Sequence, residues 1–240
     1  MGGCRRSRVR DIFLKAIGDG RRYLLESEAK EVCRLYGIPV VRTFTARSAS
    51  EAVEIANEIG YPVVLKVLSP DILHKSDVGG VKLNLKSPEE VARAYNEIMD
   101  NVRKVKPEAR IIGVTVQEMA PEGLEVIIGG VKDEFFGHAV MFGLGGVFVE
   151  ILRDITFRIV PLTRVDVEEM IREIKAYPLL KGVRGIPPRD IEALVNTILK
   201  VSELLHENPE IKELDLNPTR VYEKGKGVKV LDARIILEKE

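Results

Sequence analysis

The chain has 240 residues, and 37 Lys plus Arg balance 37 Asp plus Glu, so the formal net charge is zero. This length is enough for one large domain or two smaller lobes, each with its own core. The neutral balance predicts neither a nucleic-acid partner nor a membrane surface. Two cysteines outside any metal-ligand spacing, and a start without the apolar segment of a signal peptide, predict a cytoplasmic protein.

The first half of the chain alternates predicted helices and strands. Ser27 begins a helical pattern that a glycine and a proline end, and a second pattern covers residues 51–59. The runs "YPVVLKVL" and "VKLNL" then predict two strands. In the second strand Val81, Leu83 and Leu85 share one face.

After one more helix the chain becomes richer in predicted strands. A capped helix runs from Ser87 to about Arg103, and from Ile111 onward three β-like runs are separated by glycines. Charged helices follow at about 166–176 and 190–206. The chain then closes with "IKELDLNP" and "VKVLDARIIL", two predicted strands around the turn "EKGKG".

These patterns predict an α+β fold made of two α/β lobes. We expect an N-terminal segment, 1–26, that packs on the larger lobe, a smaller lobe at 27–115 and a larger lobe at 116–240. A protein with two lobes usually binds its ligand in the cleft between them.

Lys66 lies inside the apolar strand "PVVLKVL" and shares a face with Val64 and Leu68. Such a lysine either reaches solvent from an edge strand or binds an anion. Gly79 and Gly80, between two strands, favour the second interpretation, since glycines let backbone N–H groups approach phosphate oxygens. The pattern is neither a P-loop nor a dinucleotide fingerprint.

Two glutamates flank the expected lobe boundary. Glu118, in "QEM", ends a strand where an exposed backbone could pair with a purine edge. Glu125 lies among apolar residues in "GLEVII" and needs a partner, for which ribose hydroxyls would serve. A surface glutamate on an edge strand explains Glu125 equally well.

The C-terminal strands carry three oxygen ligands. Asp215 and Asn217 point to one side of their strand, and Asp232 lies near the end of the next on the expected apolar face. Carboxylate and amide oxygens suit Mg²⁺, which leaves other positions to phosphates and water. The alternative is a structural pair between an aspartate and Arg234 or Arg220.

These features together resemble the ATP-grasp fold, with a nucleotide in the cleft between two α/β lobes. Within this fold, a closer resemblance to one family is carried by four stretches: "GYPVVLKVLSPDILHKSDVGGVKLNL", "VMFGLGGVFVEILRDITFRIVPL", "IREIKAYPLLKGVRG" and "IKELDLNPTRVYEKGKGVKVLDARIIL". These stretches are similar to the β subunit of the ADP-forming acetyl-CoA synthetases of archaea. The resemblance covers about Leu24 to Leu237.

The resemblance implies one subunit of an enzyme that converts acyl-CoA, ADP and phosphate into the free acid, ATP and CoA. A CoA-binding α subunit would form an acyl phosphate, and its histidine would take the phosphoryl group. His74 would be a second carrier that relays this group to ADP. The family also implies a dimer of αβ pairs.

Further roles follow from the same resemblance. Lys66 would neutralise nucleotide phosphate charge, and Gly79 and Gly80 would supply backbone donors. Glu118 would mark the adenine hinge, and Glu125 would contact ribose or the phosphate side. Asn217 and Asp232 would hold Mg²⁺, and Asp215 would orient the histidine of the α subunit. Other residues are interpreted without the resemblance. Arg158 is a candidate phosphate ligand, "GLGG" at 143–146 could contact phosphate or, as we favour, make a tight turn, and His138 and His206 are expected to be structural.

Two other function classes stay open from the residues. One is a stand-alone ATP-grasp ligase that joins a carboxylate to an amine, and the other is a non-catalytic nucleotide-binding regulator. Such ligases usually carry an additional N-terminal domain, whereas only residues 1–26 precede the first predicted lobe. A pure binder can lose its metal ligands, whereas Asn217 and Asp232 are present. Both observations favour the synthetase subunit.

Overall fold

The structure is a computed structural model, and it describes residues 2–72, 74–145, 154–183 and 185–238. No helix within those ranges combines the length and the apolar character that a membrane crossing requires.

The chain divides into two compact units. The larger comprises Met1–Leu24, Glu28–Val40 and Pro121–Glu240, and the smaller comprises Leu25–Ser27 and Val41–Ala120. The division therefore differs from the predicted boundaries at 26/27 and 115/116.

The helix Glu26–Leu35 accounts for the first difference. Ala29, Val32 and Cys33 form its apolar face, and they are buried in the core of the larger unit and not in the smaller lobe. Helical spacing identifies the face that is buried, whereas it carries no information about which core receives that face. The second boundary shifts because Gly113–Glu118 pairs along its length with strands of the smaller unit.

The smaller unit has a four-stranded antiparallel sheet in the order β1-β4-β2-β3. Two helices pack on it, and a 3-10 turn, Ser76–Val78, precedes β3. The elements are β1 (Thr43–Ala46), α3 (Ala49–Ile59), β2 (Val63–Leu68), β3 (Val81–Leu85), α4 (Pro88–Val105) and β4 (Gly113–Glu118), with α1 (Gly2–Gly18) and α2 (Glu26–Leu35) before them in the chain.

Capping fixes where the two helices of the smaller unit begin. The Ser48 side chain accepts from the backbone N–H of Glu51, and Ser87 accepts in the same way from Glu90. Each serine thereby satisfies an N–H that has no partner within its helix. On β3, at the edge of the sheet, Leu83 is exposed.

In the larger unit, helices pack on one face of a six-stranded sheet. The strand order is β10-β8-β5-β6-β7, and β9 pairs with β8. Its elements after β4 are β5 (Leu124–Asp133), β6 (Gly137–Leu144), β7 (Ile155–Ile159), α5 (Arg164–Glu173), α6 (Tyr177–Lys181), α7 (Ile191–Glu207), β8 (Ile211–Val221), β9 (Val228–Val230) and β10 (Arg234–Leu237).

The core of the larger unit lies on one face of this sheet, against α7 and the N-terminal helix α1. Leu214 and Leu216 of β8 point into that core, while Asp215 and Asn217 stay on the exposed side. The predicted alternation along β8 is therefore confirmed. The outer face of the sheet is left to carry polar groups.

The C-terminal run "VKVLDARIIL" is two strands and not the single one predicted. β9 pairs with one part of β8 and β10 with another, and Asp232 lies in the gap between them. Val228 and Val230 are buried, as their parity with Asp232 predicts, but the backbone leaves the ladder before Asp232 is reached. This break puts Asp232 at the edge of the apolar face, partly exposed.

Candidate functional site

Lys66 lies on the face of β2 opposite the core of the smaller unit. Val63, Leu65 and Val67 point into that core, as alternation predicts. The Lys66 ammonium donates to Glu26 Oε1 at 2.9 Å. β2 lies between β4 and β3, so the edge-strand interpretation of this lysine is wrong. A buried carboxylate, and not bulk water, holds its charge.

Glu26 gathers donors from three separate parts of the smaller unit. Besides Lys66, its Oε1 accepts from Gln117 Nε2 at 2.6 Å, and its Oε2 lies 3.1 Å from Lys75 Nζ. Gln117 also donates to Thr115 Oγ1 at 3.1 Å. The Glu26 side chain is only 2% exposed. A buried carboxylate is tolerated where several donors meet it, as they do here.

His74 lies beside this cluster in the chain and is exposed. Lys75 follows it and is the residue from which the 3-10 turn Ser76–Val78 begins. The imidazole is therefore open to solvent on a loop, while the next side chain along is tied to Glu26. An exposed histidine can accept or deliver a group without any rearrangement of a packed core.

Gly79 and Gly80 close the His74 loop, but their N–H groups bond within it. Gly79 donates to Ser76 O at 3.0 Å and Gly80 to Lys75 O at 2.8 Å. This arrangement differs from their predicted role as phosphate donors. Gly79 is needed for its positive φ of 63°, and a Cβ on Gly80 would lie 2.5 Å from Val67 Cγ1. In this conformation the glycines allow close packing of the loop on β2.

Glu118 ends β4 with its carboxylate engaged inside the smaller unit. Its Oε1 accepts from the backbone N–H of Arg42 at 2.9 Å, and the next N–H, of Met119, donates to Pro62 O at 3.1 Å. The Glu118 side chain thus braces β4 against the chain before β1. Its place at the adenine hinge stays a prediction.

Glu125 on β5 has a charged partner in the larger unit. Its Oε1 accepts from Arg220 Nε at 3.1 Å and from Arg220 Nη2 at 2.9 Å. β5 lies between β8 and β6, so the edge-strand alternative for Glu125 is wrong. The partner of Arg220 here is Glu125, and a pair between Arg220 and an aspartate stays a prediction. A ribose contact at Glu125 would have to share the carboxylate with this arginine.

Asp215, on the outer face of the larger sheet, is close enough to Asp232 for the two negative charges to interact. The pKa of Asp215 is raised, first by burial among neighbouring protein atoms and then by the negative charge of Asp232, while Arg234 opposes the rise. Asp215 faces Arg234 across the β8–β10 pair. Carboxylates that repel each other in this way favour a cation between or beside them.

Asn217 completes the donor set two residues after Asp215 on the same exposed face. In the described part of the chain, no three His, Cys, Asp or Glu side chains cluster as a metal site of their own. A cation held here would therefore complete its shell with the Asn217 amide, phosphate or water oxygens. Mg²⁺ is bound in this way, by few protein ligands and the phosphates of a substrate. The chemistry of the donor set fits it.

A shallow depression of about 350 Å³ adjoins Asp215 and Asn217. Gly129 lies opposite Asp215 on β5, and Met141 lies beyond it on β6. A Cβ on Gly129 would come within 3.0 Å of the Met141 side chain. The glycine keeps the floor of the depression low beside the two polar residues.

The remaining predicted residues have local partners. Arg158 forms an ion pair with Glu173, and the exposed His206 lies in the last turn of α7. His138 is buried, with Nε2 2.6 Å from Ile211 O. Gly145 donates to Glu125 O at 2.8 Å, whereas Gly146, the last residue of "GLGG", lies outside the described residues.

The sequence interpretation missed Glu26, Lys75 and Gln117 as members of the site. Glu26 is 40 residues from Lys66 and 91 from Gln117 in the chain. No spacing within one helix or strand reports such a contact. The one available signal was an acid at the start of a helix before an apolar strand that holds a lysine.

A family model described as an ATP-grasp domain matches residues 15–237. The chain is also 54% identical over 228 residues to the β subunit of acetate–CoA ligase [ADP-forming] II of Pyrococcus furiosus, covering 95% of this chain and 97% of that one. The chain belongs to the ADP-forming acetate–CoA ligase β subunits. An ATP-grasp fold with α+β character is therefore confirmed.

Longer and structurally characterised relatives exist in this ligase family. Acetate–CoA ligase [ADP-forming] I of Archaeoglobus fulgidus is 47% identical over 235 residues, which are 98% of this chain but 34% of that one. A dinucleotide forming acetyl-coenzyme A synthetase 1 of Ca. Korarchaeum cryptofilum is 52% identical with a TM-score of 0.85, covering 96% of this chain and 100% of that chain. It was solved with coenzyme A and Mg-AMPPCP, its phosphohistidine segment pointing towards the nucleotide binding site.

Proposed function

We propose that this chain is the nucleotide-binding subunit of an ADP-forming acyl-CoA synthetase. With a CoA-binding α subunit it would convert acyl-CoA, ADP and phosphate into the acid, ATP and CoA, with acetyl-CoA as the natural first substrate to test. The observation that carries the proposal is the set of charged and polar side chains that this member of the family holds in each unit. A lysine pair lies beside an exposed histidine in one unit, and two repelling carboxylates lie beside an amide in the other.

His74 would act as the phosphoryl carrier. Its neutral imidazole nitrogen would attack phosphorus and form an N–P bond as the bond to the donor nitrogen or oxygen breaks. In the second step a β-phosphate oxygen of ADP would attack the same phosphorus, and the N–P bond would break to return a neutral imidazole and ATP. The exposure of His74 supports such a role, because the imidazole has to meet two different partners.

Lys66 would stabilise the charge on the phosphate oxygens during transfer. Its ammonium is fixed on a strand and shares Glu26 with Lys75, so its position is set before a nucleotide arrives. Gly79 and Gly80 would hold the loop closely enough to β2 for the backbone to lie near the phosphates. Glu118 and Glu125 would complete the nucleotide site at the adenine and ribose ends.

Asn217 and Asp232 would hold Mg²⁺, which would neutralise phosphate charge when bound. The Korarchaeum relative that was solved with Mg-AMPPCP supports this assignment. Asp215, two residues before Asn217 on β8, would accept a hydrogen bond from the imidazole of the α subunit and orient it. Its raised pKa is consistent with a carboxylate that is stabilised only when a cation or an N–H donor approaches.

A second polypeptide is needed for the complete reaction. The curated relative is a β subunit, and the Archaeoglobus relative is about three times as long as the matched region. We propose a cytoplasmic assembly of two αβ pairs. The alternative of a stand-alone carboxylate–amine ligase has no observation in its favour among these relatives.

Labelling with γ-³²P ATP and Mg²⁺ tests the relay in the reverse direction. The chain alone should acquire acid-labile, base-stable label, and His74→Ala should remove it. His206→Ala is the matched control, because that histidine is also exposed and should leave the label unchanged. Acyl-CoA formation should require an α subunit. Label that persists in His74→Ala, or amide formation by the chain alone, would contradict the proposal.

A further inference from the structure

Two lysines of the smaller unit share one buried carboxylate. Glu26 lies 2.9 Å from the ammonium of Lys66 and 3.1 Å from that of Lys75. The Lys66 and Lys75 side chains are 14% and 20% exposed, whereas that of Glu26 is 2% exposed. Gln117, itself buried, adds a third donor at 2.6 Å. The cluster carries one net positive charge at a partly open surface.

The Glu26 carboxylate connects Lys66 to the loop that carries His74, and the proposed reaction uses both. Lys66 belongs to strand β2, and Lys75 is the residue directly after His74. The backbone of Lys75 is held as well, because its carbonyl accepts from Gly80 N at 2.8 Å. Gly80 O in turn accepts from Val67 N at 2.7 Å, one residue beyond Lys66. The base of the His74 loop is thereby fastened to β2 by side chain and backbone.

Ionic hydrogen bonds to a buried carboxylate are strong enough to hold a loop. A hydrogen bond to a charged group is roughly twice as strong as a neutral one. Lys82 on the neighbouring strand β3 has a different setting, since its partner Glu97 is about half exposed. An exposed pair of that kind contributes little and restrains little.

We propose that Glu26 is a positioning residue for phosphoryl transfer. It fixes Lys75, and through Lys75 the direction in which His74 leaves the loop, relative to the Lys66 ammonium. This inference rests on the proposed function. Glu26 does not itself touch the substrate, so its effect falls on the rate of transfer to His74 and not on the affinity for the nucleotide.

Removing the charge of Glu26 separates the rate of phosphoryl transfer to His74 from the affinity for the nucleotide. Glu26→Gln keeps the size of the side chain but leaves two ammonium groups beside a neutral amide. Nucleotide affinity should then be unchanged within twofold or become tighter, because the site has gained positive charge. The rate of His74 labelling should fall about tenfold. A purely structural role predicts loss of affinity and rate together.

Lys75 offers the second variant. Lys75→Met should slow labelling by the same factor, and Lys75→Arg should restore most of the rate by renewing the ion pair. The double variant Glu26→Gln with Lys75→Met should be no slower than either single variant, because both single variants remove the same Glu26–Lys75 ion pair. Lys82→Met is the matched control and should label at the rate of the unchanged chain.

The experiment measures labelling rate, ADP affinity and amide hydrogen exchange in the same variants. Hydrogen exchange of 75–80 should accelerate several-fold in Glu26→Gln and Lys75→Met but not in Lys82→Met. This readout needs no phosphoryl transfer, so it tests the fastening even if the unchanged chain takes no label, which would count against the proposed function. The inference is overturned if exchange is unaltered, or if labelling in both variants equals that of the unchanged chain.

Discussion

The two units hold their charged groups in opposite states. In the smaller unit the lysines are already neutralised in part by the buried Glu26, which accepts from Lys66 and Gln117 and forms an ion pair with Lys75. In the larger unit Asp215 and Asp232 repel each other, and the pKa of Asp215 is raised. The lysine side chains of the smaller unit are held in place before a ligand arrives. In the larger unit, a bound cation would reduce the repulsion between the two carboxylates.

This difference indicates what each region would contribute to a magnesium nucleotide. A prearranged cation loses little freedom when a phosphate arrives, so the smaller unit supplies geometry. Repelling carboxylates gain more from a metal than isolated ones, so in the proposed function the larger unit would provide the attraction for Mg²⁺. The predictions below test each side of this comparison.

Removal of the amide ligand should have the largest effect. Asn217→Ala should lower acyl-CoA turnover with the α subunit by roughly 10²-fold, the size typical of losing one stabilising group in a site. Higher Mg²⁺ should recover part of the loss, as a magnesium titration would show. Asn196→Ala is the control, because that asparagine bonds only at the surface of α7. Equal turnover in both variants would remove Asn217 from the metal site.

The packing of the His74 loop provides the next test. Gly80→Ala places a Cβ 2.5 Å from Val67 Cγ1 and 2.9 Å from the carbonyl oxygen of Lys75. We expect the free energy of unfolding to fall by about 2 kcal/mol, as in other overpacked positions. Urea unfolding measures it, and Gly18→Ala, with open space around its Cβ, should be neutral. An unchanged midpoint in Gly80→Ala would mean that the loop is not seated on β2.

Magnesium affinity should fall as pH is lowered, and at a higher pH than an ordinary aspartate would require. Asn217 and Asp232 would hold the metal, and the nearby Asp215 carboxylate attracts it only when ionised; the pKa of Asp215 is raised above the usual value near 4 by burial and by Asp232. Asp232→Asn should therefore move the pH midpoint of whatever binding remains downward. Calorimetric titration with Mg²⁺ across pH 4 to 7 measures both, and identical midpoints would contradict the coupling of the two carboxylates.

The smallest effect concerns stability without metal. Since the folded-state pKa of Asp215 is raised, its ionised form destabilises the fold, and this cost disappears as pH falls through that pKa. Asp215→Asn should thus stabilise the metal-free chain at pH 7 by a few tenths of a kcal/mol, a typical size at an exposed position. Thermal unfolding at pH 7 should show the gain and at pH 4 a smaller one. A loss at pH 7 would indicate a stabilising ion pair with Arg234.

The two sites were not equally readable from the sequence. Asp215 and Asn217 follow from strand alternation, because residues two apart in a strand share a face. Lys66 was found in the same way, as a charge in an apolar strand. These inferences need only local periodicity, and the structure bears out the exposed face of β8.

What escaped the sequence depends on contacts between distant segments. Glu26 was placed in an N-terminal segment without a role, although it is the acceptor for Lys66 and Lys75. The core that receives α2 was also misassigned, since Ala29 and Val32 show an apolar face but not its partner. The break in the last strand at Asp232 depends on how β8 divides its pairing between β9 and β10.

The most direct test of the account is ADP affinity with and without Mg²⁺ in Lys66→Met and Asp232→Asn, measured by calorimetry. Lys66→Met should weaken ADP binding by roughly 10–100-fold in both conditions, the equivalent of one charged hydrogen bond. Asp232→Asn should weaken it only when Mg²⁺ is present. If both variants lose affinity equally with and without the metal, or neither does, the division of roles between the two units is contradicted.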